Sequence, residues 1–356
     1  MAGRPAARRI ASQPVSVPPL VSVLLPVRNG AVTLVRAIAS IRAQTLTEWE
    51  LVVVDDGSTD GTGELLAVAT QEDARIRVLR QPALGLVAAL NAGLAAAHGE
   101  FIARMDADDE CHPERLARQA AWLQAQPELG VVSCLVEFGG DRAARAGYAL
   151  HVDWLNSLAD AGEIALNRFV ESPLAHPSVM FRRELVEKHG GYRTGDFPED
   201  YELWLRWLDA GVAMAKVPER LLTWHDGPGR LSRIDPRYEP NAFFRIKAEY
   251  VAKEVRRILS GRGGSEVWVW GAGRHTRKRA AALEAHGLHI AGYIDIDAKK
   301  TGRSIGGVPV ITAGNLPPPG ERFILAYVSK RGAREYIRGQ LGLRNYIEGR
   351  DFLACA

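Results

Sequence analysis

Gly99-Glu100-Phe101-Ile102-Ala103-Arg104-Met105-Asp106-Ala107-Asp108-Asp109 reads as a strand that runs out into carboxylates. Three acids over four positions repel one another and pack poorly, so a fold seldom places them at a strand end for stability. A divalent cation relieves that repulsion, and hard oxygen ligands suit Mg²⁺ or Mn²⁺. Such ions keep several waters and bind substrate phosphates, so the cluster predicts a metal–diphosphate site. The plainer alternative is an acidic turn that caps the next helix, with Asp109 as N-cap ahead of Pro113 and Glu114. Both can hold at once, because a cap needs only one or two of the acids.

The pattern upstream sets the fold class. Val21-Ser22-Val23-Leu24-Leu25-Pro26 and Glu50-Leu51-Val52-Val53-Val54-Asp55 are nearly continuous apolar runs, as in buried parallel strands. Arg75-Ile76-Arg77-Val78-Leu79 is a third strand, and Glu100 to Met105 a fourth. Helical spacing separates them. Residues 31–44 place Leu34, Val35, Ile38 and Ile41 on one face; 62–70 and 86–98 follow. Strands alternating with helices predict an α/β fold, a parallel sheet wound on both faces. Ligands of such sheets bind beyond the carboxyl ends of the strands. Pro26-Val27-Arg28-Asn29, Asp55-Asp56-Gly57-Ser58 and Asp106 to Asp109 all sit at such ends, so three polar clusters converge on one edge.

Beyond Pro127 the pattern loosens. Residues 131–138 and 178–181 read as strands; 150–169, 201–210 and 240–259 read as helices. Ser260-Gly261-Arg262-Gly263-Gly264-Ser265 reads as a flexible linker, after which a new strand–helix pattern starts at Glu266. The expected organisation is a disordered tail (1–20), a first α/β domain (21–240), a helix and linker (241–262), and a smaller Rossmann-like α/β domain (263–356).

Composition bounds the function. The 356 residues suit two domains, and 47% hydrophobic with 24% charged residues is ordinary for a soluble globular protein. A formal charge of +3, with arginine spread along the chain, gives no footprint for nucleic acid. The three cysteines, Cys111, Cys134 and Cys355, show neither zinc spacing nor a disulfide framework, which points to a reducing compartment. No stretch is apolar for the ~20 residues that span a bilayer. A cytoplasmic location is therefore expected, with peripheral attachment to a membrane left open.

Two further acid pairs carry chemistry. Asp55-Asp56-Gly57-Ser58-Thr59-Asp60-Gly61 joins a strand to a helix. Ser58 or Asp60 suits the helix cap, which leaves two acids after Val-Val-Val unexplained. A carboxylate there can accept from a nucleobase imide or a ribose hydroxyl. Glu199-Asp200 opens a helix after Pro198, where acids are favoured by the dipole. One of them can also serve as general base toward an attacking hydroxyl. The dipole is expected to keep Asp200 ionised near neutrality.

Taken in order, these motifs resemble the inverting family 2 glycosyltransferases of GT-A fold. The resemblance runs from Val21 to about Arg233. It rests on Val-Ser-Val-Leu-Leu-Pro-Val-Arg-Asn, Val-Val-Asp-Asp-Gly-Ser-Thr-Asp-Gly-Thr, Leu-Asn-Ala-Gly-Leu at 90–94, Met-Asp-Ala-Asp-Asp at 105–109, and Glu-Asp-Tyr-Glu-Leu-Trp-Leu-Arg at 199–206. It implies that Asp55 and Asp56 recognise uracil or thymine and ribose, and that Pro26 and Arg28 line the same pocket. Asn91, Asp106, Glu199 and His225 join the nucleotide-sugar site on the same ground. Asp106 and Asp108 match the ends of the DxD motif, with Asp108 the direct ligand of Mn²⁺ or Mg²⁺. His225 matches a late His near the diphosphate and metal, with Ser232 following. Asp200 matches the catalytic base. Leu90 departs from the family, where many relatives carry Arg, which weakens a basic phosphate contact at that helix. The implied partners are a UDP- or dTDP-sugar donor and a glycan or lipid-linked sugar acceptor, in polysaccharide assembly of the bacterial kind.

Val267-Trp268-Val269-Trp270-Gly271-Ala272-Gly273-Arg274, a helix, a strand at 289–293 and Asp295 follow a Rossmann-like order. Thr276 stands where the fingerprint has its third Gly, so the signal for a bound dinucleotide is weak. This domain resembles the small nucleotide-binding domains that precede bacterial sugar acyltransferases. A retained fold for docking or stability is an equal reading, and a chain cut near Ser260 is expected to keep the transfer site. Two rivals remain: an NAD(P)-dependent oxidoreductase built on Gly271 and Gly273, and a non-catalytic nucleotide-sugar-binding protein.

Overall fold

A computed structural model describes residues 18–227, 230–262 and 266–356. Most of the expected tail (1–17) and part of the expected linker (263–265) lie outside the described residues. Eight strands form the first sheet: β1 (Val21–Val27), β2 (Trp49–Asp56), β3 (Ile76–Gln81), β4 (Phe101–Arg104), β5 (Glu110–Cys111), β6 (Leu129–Gly139), β7 (Met180–Arg182) and β8 (Ala213–His225). Six form the second: β9 (Glu266–Trp270), β10 (Ile290–Ile294), β11 (Ser304–Ile305), β12 (Val308–Ile311), β13 (Arg322–Ala326) and β14 (Phe352–Ala354).

In the first sheet β1 runs parallel to β2 and β4, and β2 parallel to β3. Alternate residues of β1 serve two cores, which is why it reads as one apolar run. Val23 and Leu25 pack with Leu34 and Ile38 on one face. Leu24 packs with Leu90, Leu94 and Trp204 on the other. The Leu86–Ala96 helix lies so close that a Cβ on Gly93 would come within 2.0 Å of Leu24 Cδ1. The Leu34–Arg42 helix buries Leu34, Ala37, Ile38 and Ile41, whereas Val35 is 57% exposed. Val35 lies one position off the i, i+3, i+4, i+7 stripe, so it does not belong to the buried face.

The sheet is mixed rather than wholly parallel. The short strands β7 and β5 run antiparallel to β4 and β8 respectively. The sheet order is β3-β2-β1-β4-β7-β6-β8-β5. Asp109 does not cap the helix that follows it. The Arg115–Ala125 helix begins at Glu114 with no side-chain cap, and Asp109 instead leads into β5, which β8 pairs.

The second sheet has order β11-β12-β10-β9-β13-β14, parallel except for the edge strand β11. One apolar cluster joins the two halves. Tyr201 and Leu205 share it with Ala248, Val251 and Val255 of the Pro240–Leu259 helix and with Val267, Val269, Phe323, Leu325 and Leu353. Lys247, only 1% exposed, donates from Nζ to the carbonyls of Phe169 (2.8 Å), Val170 (3.2 Å) and Cys355 (2.7 Å). Burial among so few charges pulls this ammonium down to about 7.

Candidate active site

A cleft of about 1260 Å³ opens beyond the carboxyl ends of β1, β2 and β4. Its wall includes Pro26, Arg28, Asp56, Asp106, Asp108, Glu199, Asp200 and His225. Eight of the residues expected at the site therefore meet there.

Asp106, Asp108 and Asp109 each offer a carboxylate oxygen within 4.8 Å of the others. Asp106 Oδ1 accepts from Arg104 Nη2 at 2.7 Å, and Arg104 is buried. Asp109 is 1% exposed, and its Oδ1 accepts from the backbone N–H of His225 at 2.8 Å. Its Oδ2 is buried with no hydrogen-bond partner. Burial, then the charges of Asp106 and Asp108, push its carboxyl well above the ordinary range. Burial and Asp106 also raise Asp108, partly offset by Arg230. An orphaned carboxylate oxygen among like charges is the environment a hard divalent cation completes, so the donor set fits Mg²⁺ or Mn²⁺. The third member of this cluster is Asp109, whereas the resemblance implied the imidazole of His225. Both imidazole nitrogens of His225 already have partners: Nε2 lies 2.7 Å from Glu110 Oε1 and Nδ1 lies 3.2 Å from the Gly139 carbonyl.

Glu199 and Asp200 begin the Glu199–Asp209 helix after Pro198. Glu199 is 1% exposed and accepts from the Tyr238 hydroxyl at 2.7 Å. Asp200 is half-buried on the cleft wall, with Oδ1 accepting from Tyr201 N–H at 2.7 Å. Burial first, and the neighbouring Glu199 second, lift Asp200 from 3.8 to about 7. The expectation that the helix dipole keeps Asp200 ionised is thereby corrected. A helix terminus contributes about 0.3–1 kcal/mol at exposed sites. Lifting the carboxyl that far corresponds to about 4 kcal/mol, so burial and repulsion win.

Other expected residues have structural duties. Asp56 lines the cleft, yet its oxygens accept from Gln81 Nε2, Leu84 N–H and Gly85 N–H at 2.7–2.9 Å. Asp55 is outside the cleft lining; its Oδ1 accepts from Ser58 N–H at 3.0 Å, closing the turn in which Gly57 has φ +72°. Asp60, rather than Ser58, accepts from Thr62 N–H at the helix start, while Ser58 Oγ accepts from Asn29 N–H. Asn91 is also outside the lining. Its amide donates to the Tyr192 carbonyl (2.9 Å) and accepts from the Tyr192 N–H (3.0 Å), a clamp between helix and loop.

Sequence reasoning passed over Arg104, Asp109 as a ligand, Tyr238 and Arg230. Arg230 lies 4.1 Å from the Trp224 ring centroid and 4.7 Å from that of Tyr148, on the cleft wall. An arginine inside the apolar run of β4 was a legible signal for Arg104. Asp109 was marked as a member of the acid cluster but read as a cap, and nothing local marked Tyr238 or Arg230.

In the second sheet, Asp295 Oδ2 accepts from Ala272 N–H (2.8 Å) and Lys300 Nζ (3.2 Å), and its Oδ1 accepts from Asp297 N–H (2.9 Å). The acid that a dinucleotide ribose would use is thus committed to its own turn. A Cβ on Gly271, where φ is +113°, would meet Val328 and Thr276 within 3.0 Å, so this glycine serves packing.

The mixed α/β sheet, with an acid-lined cleft beyond its parallel strands, has the GT-A fold. Residues 22–190 match the family model described as glycosyl transferase family 2. The chain is 34% identical over 214 residues to a putative glycosyltransferase, EpsE, of Bacillus subtilis, covering 57% of this chain and 72% of the relative. It is 31% identical over 205 residues to the amylovoran biosynthesis glycosyltransferase AmsE of Erwinia amylovora, covering 56% and 72%. TarS of S. aureus, solved as residues 1–349 with UDP-GlcNAc, shares the fold with TM-score 0.51 at 18% identity, over 75% of this chain and 71% of that one. The chain belongs to glycosyltransferase family 2. Among the described residues no helix is long and apolar enough to cross a membrane.

Proposed function

We propose that this glycosyltransferase moves a sugar from a UDP- or dTDP-sugar to an acceptor hydroxyl with inversion, in the assembly of a glycan or polysaccharide. The observation that carries the reading is the cleft itself. One wall presents Asp106 and Asp108, with the buried Asp109 and its unpartnered oxygen clustered against them, and the lining also includes a carboxyl at Asp200 poised near neutrality. A bound Mn²⁺ or Mg²⁺ would supply positive charge against the diphosphate of the donor. Asp106, Asp108 and Asp109 would hold it, with Arg104 fixing Asp106. Asp200 takes the proton from the acceptor hydroxyl as that oxygen attacks the anomeric carbon. A base near pH 7 suits this work, because it is ionised in part and still strongly basic. One in-line displacement inverts the anomeric centre, and no covalent enzyme intermediate forms. Arg28 and Pro26 line the nucleotide side, with Asp56 shaping it through the 84–85 turn. The Erwinia relative's place in amylovoran biosynthesis supports glycan assembly as the setting, and a glycan or lipid-linked sugar is the acceptor this reading assigns.

A thermal-shift screen of UDP-, dTDP- and GDP-sugars with Mn²⁺ and with EDTA tests the donor class, because a ligand of the native state raises stability. Metal-dependent stabilisation by a UDP- or dTDP-sugar is expected. NMR of the product's anomeric proton then tests inversion, and a retained configuration would refute the single displacement.

A further inference from the structure

Tyr238 belongs to none of the motifs above, yet its hydroxyl reaches the acid pair. It closes the short turn Pro236–Tyr238, which Asp235 fastens by accepting from Arg237 N–H (2.9 Å) and Arg237 Nη2 (2.7 Å). Two residues later the chain enters the Pro240–Leu259 helix, so the phenol is held from both sides. Its O–H donates to Glu199 Oε2 at 2.7 Å. Burial raises the Glu199 carboxyl, and the Tyr238 hydroxyl opposes that rise more than any other contact does.

The groups that face the pair come from several elements. Arg104 projects from β4, and Arg237 from the same turn as Tyr238. Tyr192 faces both acids, with Asp106 and Arg104 also beside it, and its hydroxyl is tied to His176 Nε2 at 2.7 Å. Asp200 receives the Tyr201 N–H, whereas the phenol donates to Glu199 alone of the two acids. The pair is therefore asymmetric. A charge kept on Glu199 opposes a second charge on Asp200 and leaves the proton there.

The geometry points to Tyr238 as a positioning residue: through Glu199 it sets which of the two acids holds their shared proton, and so keeps Asp200 basic enough to accept one from an acceptor hydroxyl. The inference rests on Asp200 being the base, and it adds a residue outside the shared motifs that tunes it.

The test is a carboxyl ¹³C NMR titration of metal-free, aspartate-labelled protein, with Asp200→Asn assigning the signal. Asp200 should titrate near 7 in the unaltered chain. Tyr238→Phe keeps the ring and removes the donor, so the midpoint should fall by about one pH unit, a tenfold change in proton affinity. Glu199→Gln should lower it as well. 3-Fluorotyrosine at position 238 is a stronger donor in the same shape and should raise it. An Asp200 midpoint that Tyr238→Phe and fluorotyrosine both leave in place overturns the inference, as does a rise in Tyr238→Phe. Should Tyr238→Phe fail to fold, the fluorotyrosine shift decides alone. Full transfer by Asp200→Asn alongside the expected shifts would instead overturn the assignment of Asp200 as base, so the two failures are distinct.

Discussion

Replacing the base should make the free protein more stable and inactive at once. Asp200 titrates about three pH units above its ordinary 3.8, at about 7, because it is enclosed and next to Glu199. The folded state thus binds a proton that the unfolded chain has released. Stability must fall as pH rises from about 4 to about 7, by about 1.4 kcal/mol per pH unit, and level off above. The total is at most about 4 kcal/mol, less whatever water in the cleft returns. Asp200→Asn cannot ionise, and its side-chain oxygen still accepts from Tyr201 N–H. The variant and the parent should therefore melt together near pH 4 and diverge toward pH 8, the variant melting several degrees higher. Donor turnover should drop by ~10²–10⁴-fold. Thermal melts at half-unit pH steps, in EDTA, read the first effect without any substrate. Parallel curves from pH 4 to 8 would refute the assignment of a strained, buried carboxyl, whatever the kinetics showed.

Three other outcomes are expected. UDP or dTDP should bind with Mn²⁺ and not with EDTA, and Asp108→Asn should lose that difference without melting lower in EDTA, since it removes a charge that burial and Asp106 oppose; equal calorimetric affinity in both buffers would remove the metal from the site. Lys247→Met leaves the Phe169, Val170 and Cys355 carbonyls without their donor, at about 1–3 kcal/mol for each group left unsatisfied, and amide exchange near residues 167–172 should quicken; unchanged exchange there would show that the lysine clamps nothing. A chain cut at Ser260 strips the second-sheet partners from Ala248, Val251 and Val255 and should aggregate; a monomeric, cooperatively melting fragment on a sizing column would contradict the shared core.

The parts of the fold that were legible were those written in local pattern. β1, β2 and β4 are apolar along most of their length, and a nearly apolar run with polar residues behind it means a buried strand pointing at a site. The acid pair at 55–56 and the three acids at 106–109 were visible for the same reason, and the pair at 199–200 because it opens a helix after Pro198. What each acid does was not legible. Asp56 staples a turn and Asn91 staples a loop 101 residues away, and no spacing encodes a partner that distant. Asp109 looked like a cap because Pro113 and Glu114 follow it; the pairing of Glu110 and Cys111 with β8, over a hundred residues downstream, decided otherwise. β5 and β7 are too short for a period-two pattern to register, so the antiparallel departures were hidden. The basicity of Asp200 was misjudged because the dipole is a property of the helix, whereas enclosure is a property of everything packed around it.

The lysine at 247 also imposes an order of events on biosynthesis. Its third acceptor, the Cys355 carbonyl, lies 108 residues further along the chain. A ribosome that has released the first sheet has made every motif of the transfer site but not that acceptor. Until β14 docks on β13, the long helix carries an ammonium with no settled place and an apolar face with nothing over it. The wall beside Phe169 and Val170, next to cleft residues Glu171 and Ser172, is thus finished last. A nascent chain would hold the acids of its site before the wall beside Glu171 and Ser172 has its final packing.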